Sequence, residues 1–569
     1  MSTKDNSVQR YGSDVIVDLI KAYGIKHVFF NPGATIRGLE DSLLHDNDIT
    51  LVLCMHEESA VAMAHGYAKV TGFPAVVLLH ANVGLLNATM GIFNAYVDRI
   101  PMLIINGLGP TAIEERRPWI DWIHTNTSQA SITKDYVRWY DQPTTLVSTV
   151  QSVERALLLT QAKPSYPTLV AIDSSIQEQP TKLEFTFNPG KELISPQASN
   201  EIIHKLSSLI LEADFPLFIG NTLGRYDDAV RITTKVCESL SIPFIDLGGA
   251  YNFPSRSCMN ITNDYRFYLE QADLIIALEC SDLQSVLFEH ENNNSKPIFN
   301  TEAGIVKIGI NDFFVNSEVC DYFELQNTCL NIVGEITTSL ELLCERLNAN
   351  LSPVHLGKTE TRKKIICNHT RFKHPDLEQT TLSVILESFW NVIRDKDWIL
   401  VNEPSIKYGK IIRQIWDFDD KHIHLGNSGG CGLGYGVGAS IGAAFGIEDP
   451  DIIILSMIGD GDLNFSPSTL WTASHYNLPI IFIVVNNNGY DNTKMHSKFI
   501  SNTRGRNTYS DFTGNEFDSP KVNYKALSDA YGIEFIGRVY NGISAEHELL
   551  KALHYRKMNR APSLIEMVI

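Results

Sequence analysis

Two short motifs in the last third of the chain carry oxygen donors at a spacing that suits a divalent cation. The apolar run 451–458 ends in Gly459-Asp460-Gly461, and the run 480–485 ends in Asn486-Asn487-Asn488-Gly489. Both runs have strand length. Between them, Ser466-Pro467 predicts an N-cap and a proline at the first helical position, opening a helix through about Tyr476. Strand, helix and strand make a βαβ unit whose two strands lie parallel. Asp460 and Asn487, 27 positions apart, then reach the same carboxyl edge of a sheet. One carboxylate, one amide oxygen and a backbone carbonyl near Gly489 suit a small hard ion such as Mg²⁺, which completes its octahedron with phosphate oxygens and water. The flanking glycines Gly459 and Gly461 let the backbone come close to a diphosphate. A lone Gly-Asp-Gly is also a common turn; its pairing with Asn487 across a full helix and strand is what points to a site.

Further candidates lie far away in sequence. His56-Glu57-Glu58 precedes Gly66-Tyr67-Ala68, with Glu57 nine positions before Gly66. His80 closes the apolar run Ala75–His80, and Ser428-Gly429-Gly430-Cys431-Gly432-Leu433-Gly434-Tyr435 forms a glycine-rich loop. Each has a plain structural reading: a glutamate complementing a helix dipole, a satisfied strand-end histidine, glycines that let a helix pack closely.

As a set, these motifs resemble the thiamine-diphosphate family of acetolactate synthases, benzoylformate decarboxylases and pyruvate decarboxylases, over essentially the whole chain. The resemblance implies that Asp460, Asn487 and the Gly489 carbonyl hold Mg²⁺ against the cofactor's diphosphate. It makes Glu57, not Glu58, the acid that bonds the aminopyrimidine and favours its imino tautomer, which then deprotonates the thiazolium carbon. His80 becomes an active-site histidine able to move protons, with Ala34 and Arg37 beside the pocket. The carbonyl of Cys431 is expected to accept the cofactor's amino group and Leu433 to bend the cofactor into a V. Ser405, in Asn402-Glu403-Pro404-Ser405, is expected at the diphosphate. Asp462 stands where serine is usual and places a second carboxylate beside the diphosphate. The stretch Glu114–His124 resembles poorly characterised acetolactate-synthase-like proteins, and His124, Asn492, Thr493 and His496 are expected around the substrate.

The elements that must position these groups alternate. Strand-length runs His27–Phe30, Thr50–Cys54, Ala75–His80 and Met102–Asn106 enclose helical patterns at Ser59–Val70 and Leu85–Val97. A second alternating unit begins near Ser195, with a helix over Ala198–Leu211, strands Pro216–Gly220, Pro243–Leu247 and Leu274–Leu278, and a helix near Asp227–Leu240. Gly220 and Gly224 read as a tight turn, without GxGxxG. From Asn348 to Pro375 the chain is polar and reads as a linker. We therefore expect three open, mainly parallel α/β domains: a pyrimidine-binding domain (1–185), a middle domain (195–350) and a diphosphate-binding domain (376–569).

Composition narrows the rest. A net charge of −19 argues against nonspecific nucleic-acid binding. No apolar run approaches bilayer length and the first ten residues lack a signal-peptide core, so a cytoplasmic enzyme without membrane attachment is expected. Nine cysteines without a CxxC pair disfavour zinc and disulfide frameworks. The middle domain offers no FAD signature, and FAD is not expected. The favoured activity is a carboligase that decarboxylates a 2-oxo acid and passes the aldehyde unit to an aldehyde or ketone acceptor; the alternative is a simple 2-oxo acid decarboxylase. A noncatalytic cofactor binder leaves the intact Glu57, Asp460 and Asn487 without purpose, and a Mg²⁺ phosphohydrolase gives Glu57 no role. Because Glu57 and His80 lie in the first domain and Asp460, Asn487 and Leu433 in the third, the resemblance implies a homodimer or homotetramer with sites shared between chains.

Overall fold

Apolar β-rich segments with helices between them assemble three separate parallel sheets. The computed structural model describes residues 9–187, 189, 193–291, 294–310, 326–369, 381–402, 404–506 and 514–569. The first sheet contains β1 (His27–Phe30), β2 (Thr50–Leu53), β3 (Ala75–Leu79), β4 (Met102–Leu108), β5 (Trp139–Asp141) and β6 (Pro167–Asp173), in the order β2-β1-β3-β4-β6-β5. The second contains β7 (Pro216–Gly220), β8 (Phe244–Asp246), β9 (Leu274–Leu278), β10 (Gly304–Gly309) and β11 (Leu330–Val333), ordered β8-β7-β9-β10-β11. The third contains β12 (Trp398–Asn402), β13 (His422–His424), β14 (Ile453–Gly459), β15 (Ile480–Asn486), β16 (Glu534–Val539) and β17 (Ser563–Val568), ordered β13-β12-β14-β15-β17-β16. Within all three the neighbours run parallel. β3, β4, β6 and β15 are buried throughout, as strands covered on both faces must be.

Two helices bring the first and third sheets together. α1 (Glu57–Thr71) follows β2, and α5 (Tyr435–Gly446) follows the glycine-rich loop. They cross at glycines: a Cβ on Gly66 would stand 2.0 Å from the Ala439 carbonyl oxygen, and one on Gly442 would stand 1.7 Å from that of Met63. Only glycine allows this approach, and one apolar core runs through both units. α2 (Ala81–Val97) lies against α1 and completes the first-sheet framework.

Two expectations change. The stretch read as a linker holds α3 (Pro353–His369), packed on the second sheet's core through Ile366 and through the buried Arg362, whose guanidinium donates to the Leu240 carbonyl at 2.7 Å. Its hydrophobic face is narrow and a buried arginine anchors it, so periodicity hid it; residues 370–375 lie outside the described part. Between β14 and β15, a helix does not wait for Ser466. α6 (Asp460–Phe465) starts directly at Asp460, and a second, α7 (Thr469–His475), opens at Ser468. Ser466 instead donates its hydroxyl to the Gly434 carbonyl at 3.0 Å. Among the described residues no helix is long and apolar enough to cross a membrane.

Candidate active site

The carboxyl edge of the first sheet gathers side chains. Glu57 is the first residue of α1, capped by His56, and is buried. Its Oε2 accepts Asn87 Nδ2 from α2 at 3.1 Å, and Gly84 leaves its other oxygen room. His80 sits at the N-terminus of α2, packed so closely that a Cβ on Gly33 would meet its ring at 2.2 Å. The Thr35 hydroxyl accepts the Ala81 N–H at 3.0 Å and lies 2.9 Å from His80 Nδ1, to which the Thr35 backbone N–H donates at 3.4 Å. Nδ1 is thus an acceptor and the ring proton resides on Nε2. Burial first, then His124 and Arg117, push the imidazole down to about 4, so it is neutral at neutral pH. His124 lies edge-on to it, ring centroids 4.9 Å apart.

Two further first-domain candidates lie on the stretch after β1. Ala34 is exposed at the loop after β1. Arg37 donates to Glu178 through two bonds of 2.7 Å.

The third-sheet edge is built from backbone. β14 and β15 pair in register through Gly459 and Val485, which places Asp460 beside Asn487. The Asp460 carboxylate accepts backbone N–H groups of Gly461 (2.8 Å), Asn487 (3.1 Å) and Gly489 (3.2 Å). Burial pushes it up to about 6, those N–H groups opposing, and among the described residues no ion pair reaches it. Asn487 Oδ1 accepts the Gly489 N–H at 3.0 Å. Ser405 caps α4 (Ile406–Ile415) by accepting the Tyr408 N–H; its neighbour Glu403 lies outside the described residues.

Asp462 has partners within the chain: its carboxylate accepts the N–H groups of Gly434 (2.6 Å) and Gly436 (3.2 Å), capping α5, whose own N-cap residue is a glycine without a side chain. Glu58 also turns to this point, its Oε1 3.4 Å from where a Gly434 Cβ would lie, and burial followed by the Asp462 charge raises it to about 7. Glu57 and Glu58 therefore face different surroundings.

The loop before α5 presents Cys431, in the left-handed region at φ 56°, and a part-exposed Leu433. Behind it, Asp98 meets His65 Nε2 at 2.6 Å, Lys69 at 2.7 Å and Arg225 of the second-sheet unit. Burial alone would raise Asp98, but Arg225 and Lys69 hold it far below the usual carboxylate range. Lys69 also donates to the Leu425 carbonyl at 2.9 Å, and to that of Asn427, so this hub ties all three units to the loop. Asn492, Thr493 and His496 are exposed on α8 (Asp491–Thr503). Sequence reasoning missed Thr35, Asn87, Asp98 and Arg117; the available signal was the polar residues Asn87, Thr89 and Asn94 inside a mainly apolar helical run.

Comparison with known proteins matches the two units that carry these edges. Residues 10–133 match the thiamine pyrophosphate enzyme N-terminal TPP binding domain, and residues 407–567 match the C-terminal TPP binding domain. Benzoylformate decarboxylase of Pseudomonas aeruginosa is 23% identical over 97% of both chains, and the acetolactate synthase isozyme 3 large subunit of Escherichia coli is 22% identical over 96% of this chain and 93% of its own. Among solved structures, a thiamine diphosphate-dependent 4-hydroxybenzoylformate decarboxylase of Rhodococcus jostii superposes with a TM-score of 0.77 at 20% identity, covering 98% of each chain.

Proposed function

Because the chain belongs to the thiamine-diphosphate-dependent enzyme family, we propose that it removes carbon dioxide from a 2-oxo acid and transfers the remaining aldehyde unit to a second carbonyl compound. Thiamine diphosphate supplies a nucleophilic carbon and an electron sink for the departing carboxylate. Asp460 fits a cation well, being a buried carboxylate held, among the described residues, by N–H groups and destabilised by that burial. We assign Asp460, the Asn487 amide oxygen and the Gly489 carbonyl to Mg²⁺, which suits such oxygen donors. Gly459, Gly461 and the Ser405 hydroxyl at a helix N-terminus suit the diphosphate. The Cys431 carbonyl and Leu433 side chain are assigned to the aminopyrimidine, and Glu57 to its ring nitrogen.

The observation that favours transfer to a second carbonyl is the state of His80. A group that must hand a proton to carbon works best with a pKa near the working pH. His80, pushed to about 4, is neutral: its Nε2–H is a hydrogen-bond donor to a carbonyl oxygen and a poor source of protons. Purified protein with cofactor, Mg²⁺ and 2-oxo acids, alone or paired with aldehydes, should yield ligated hydroxyketone products by mass spectrometry in excess of free aldehyde. Aldehyde as the sole product would replace this reading with simple decarboxylation.

Each sheet edge carries half of the assigned machinery, and apolar side chains stand exposed near both: Val83 and Leu86 on α2, Leu433 and Phe465 near the third edge. We assign the working form to a homodimer, paired again as a tetramer, with each site shared between chains. Mixing inactive Glu57→Gln and Asp460→Ala chains should restore part of the activity; no recovery despite demonstrated subunit exchange would reject shared sites.

A further inference from the structure

The loop that presents Cys431 and Leu433 lies on the last turns of α2. A Cβ on Gly430 would stand 2.7 Å from Asn94 Oδ1, and one on Gly432 would stand 2.2 Å from Met90 Cε. Asn94 is buried, and its amide brackets one residue: Oδ1 accepts the Gly432 N–H at 3.0 Å, and Nδ2 donates to the Gly432 carbonyl at 3.3 Å. A peptide group is planar and trans, so its N–H and C=O point in opposite directions. Holding the Gly432 N–H therefore aims the Cys431 carbonyl away from α2, and holding the Gly432 carbonyl sets the peptide plane from which Leu433 springs. Cys431 adopts a left-handed conformation unfavourable to a residue with a Cβ, and such a conformation persists only where surrounding contacts over-determine it. Asn94 on one side, and Asp462 on Gly434 and Gly436 on the other, supply those contacts. Asn87, which holds Glu57, stands seven residues before Asn94, about two turns away on nearly the same face of α2.

We propose that Asn94 is a positioning residue: its amide aims the Cys431 carbonyl and seats Leu433, so that the cofactor loop is already shaped before any cofactor arrives. This rests on the reading of that loop as the aminopyrimidine holder. No covalent step is involved; the effect is preorganisation, in which supporting hydrogen bonds keep a binding group within its productive geometry.

The test compares full-length wild type, Asn94→Ala and Asn94→Asp. Amide hydrogen exchange read by mass spectrometry on the cofactor-free chain should show the peptide spanning 427–436 exchanging about tenfold or more faster in Asn94→Ala, as expected for the loss of two net hydrogen bonds. Peptides from β3 and β14 should be unchanged. Calorimetry with thiamine diphosphate and Mg²⁺ should show about tenfold weaker binding, and kcat should fall while KM for the 2-oxo acid moves less than about twofold, since the loop serves the cofactor and not the substrate. Asn94→Asp keeps the size and the acceptor for the Gly432 N–H but sets a carboxylate oxygen against the Gly432 carbonyl, and should also lose loop protection and cofactor affinity. Unchanged loop exchange and unchanged affinity in Asn94→Ala would overturn the proposal, as would wild-type exchange and affinity in Asn94→Asp; the Asp variant decides alone if Asn94→Ala does not fold. A wild-type chain that binds no thiamine diphosphate would instead remove the functional reading, and the exchange comparison would still accept or reject Asn94 as the residue that orders the loop.

Discussion

The two sheet edges achieve fixed geometry by opposite means. At the third-sheet edge, Asp460 and Asn487 are held by backbone N–H groups that the register of β14 and β15 delivers. At the first-sheet edge, Glu57 and His80 are held by side chains, Asn87 and Thr35, from a separate helix and a separate loop. Backbone donors place oxygen atoms rigidly and suit a cation that needs a fixed octahedron. Side-chain donors leave the held group's protonation open to tuning, which suits proton transfer. The difference follows what each edge has to hold: charge in one case, a proton in the other.

The sharpest way to break this division is at Glu57. Replacing Glu57 with Gln keeps the Asn87 contact in shape but removes the group that would stabilise a protonated ring nitrogen, and the loss of such a proton-transfer partner is worth about 10²–10⁴-fold. Exchange of the thiazolium proton, followed by quenched-flow NMR, should slow by that order. Glu58→Gln should slow it far less, because Glu58 faces Gly434 and Asp462. Equal losses in the two variants would merge the carboxylates into one function. Next in size is Asp460→Ala. Truncating one partner of a buried charge pair costs about 2–5 kcal/mol, and cofactor affinity by calorimetry should fall by thirtyfold to several-thousandfold. Unchanged affinity would remove Asp460 from the metal site.

The same contrast explains what the sequence disclosed. Asp460, Asn487 and the strands beneath them were readable because their spacing is local: a strand, a crossover and a strand fix the geometry within 30 positions. The parallel sheets followed from hydrophobic runs alone. Asp462 could be found but not assigned, because its partners, Gly434 and Gly436, lie on another helix, 28 and 26 positions away. Thr35 holds His80 across 45 positions, and Arg225 reaches Asp98 across 127. No pattern in a single chain's spelling marks such pairs. α3 was missed for a different reason: one buried arginine and a few apolar residues dock it, too little to raise a periodic signal.

A smaller effect tests how firmly the edges are locked together. At the crossing of α1 and α5, a methyl group on Gly442 would stand 1.7 Å from a backbone oxygen, which cannot swing aside as a side chain can. Gly442→Ala should destabilise the fold by about 1–3 kcal/mol, the usual range for overpacking, read as a lower urea midpoint with unchanged slope. An unchanged midpoint would mean that the two helices separate easily and that the edges are positioned independently.

The smallest expected effect concerns the tuned proton. Thr35→Val keeps the shape of the side chain but removes the hydroxyl that binds the Ala81 N–H and donates to His80 Nδ1. Losing the bond to His80 alone is worth about 0.5–1.5 kcal/mol, so kcat should fall by roughly two- to thirteenfold. Thr35→Ser should restore it. The protonation state is checked separately. His80 is lowered from 6.5 to about 4, by burial first and then by His124 and Arg117. Between those values the unfolded chain binds more protons than the folded one, so stability from this group is fully present above about pH 6.5 and is lost as pH falls towards 4. Histidine-selective NMR on the folded protein should place the His80 titration below pH 5, leaving it silent across the range where the enzyme is assayed. A midpoint near 6.5 would make His80 a competent proton donor at neutral pH. It would then favour simple decarboxylation over transfer to a second carbonyl.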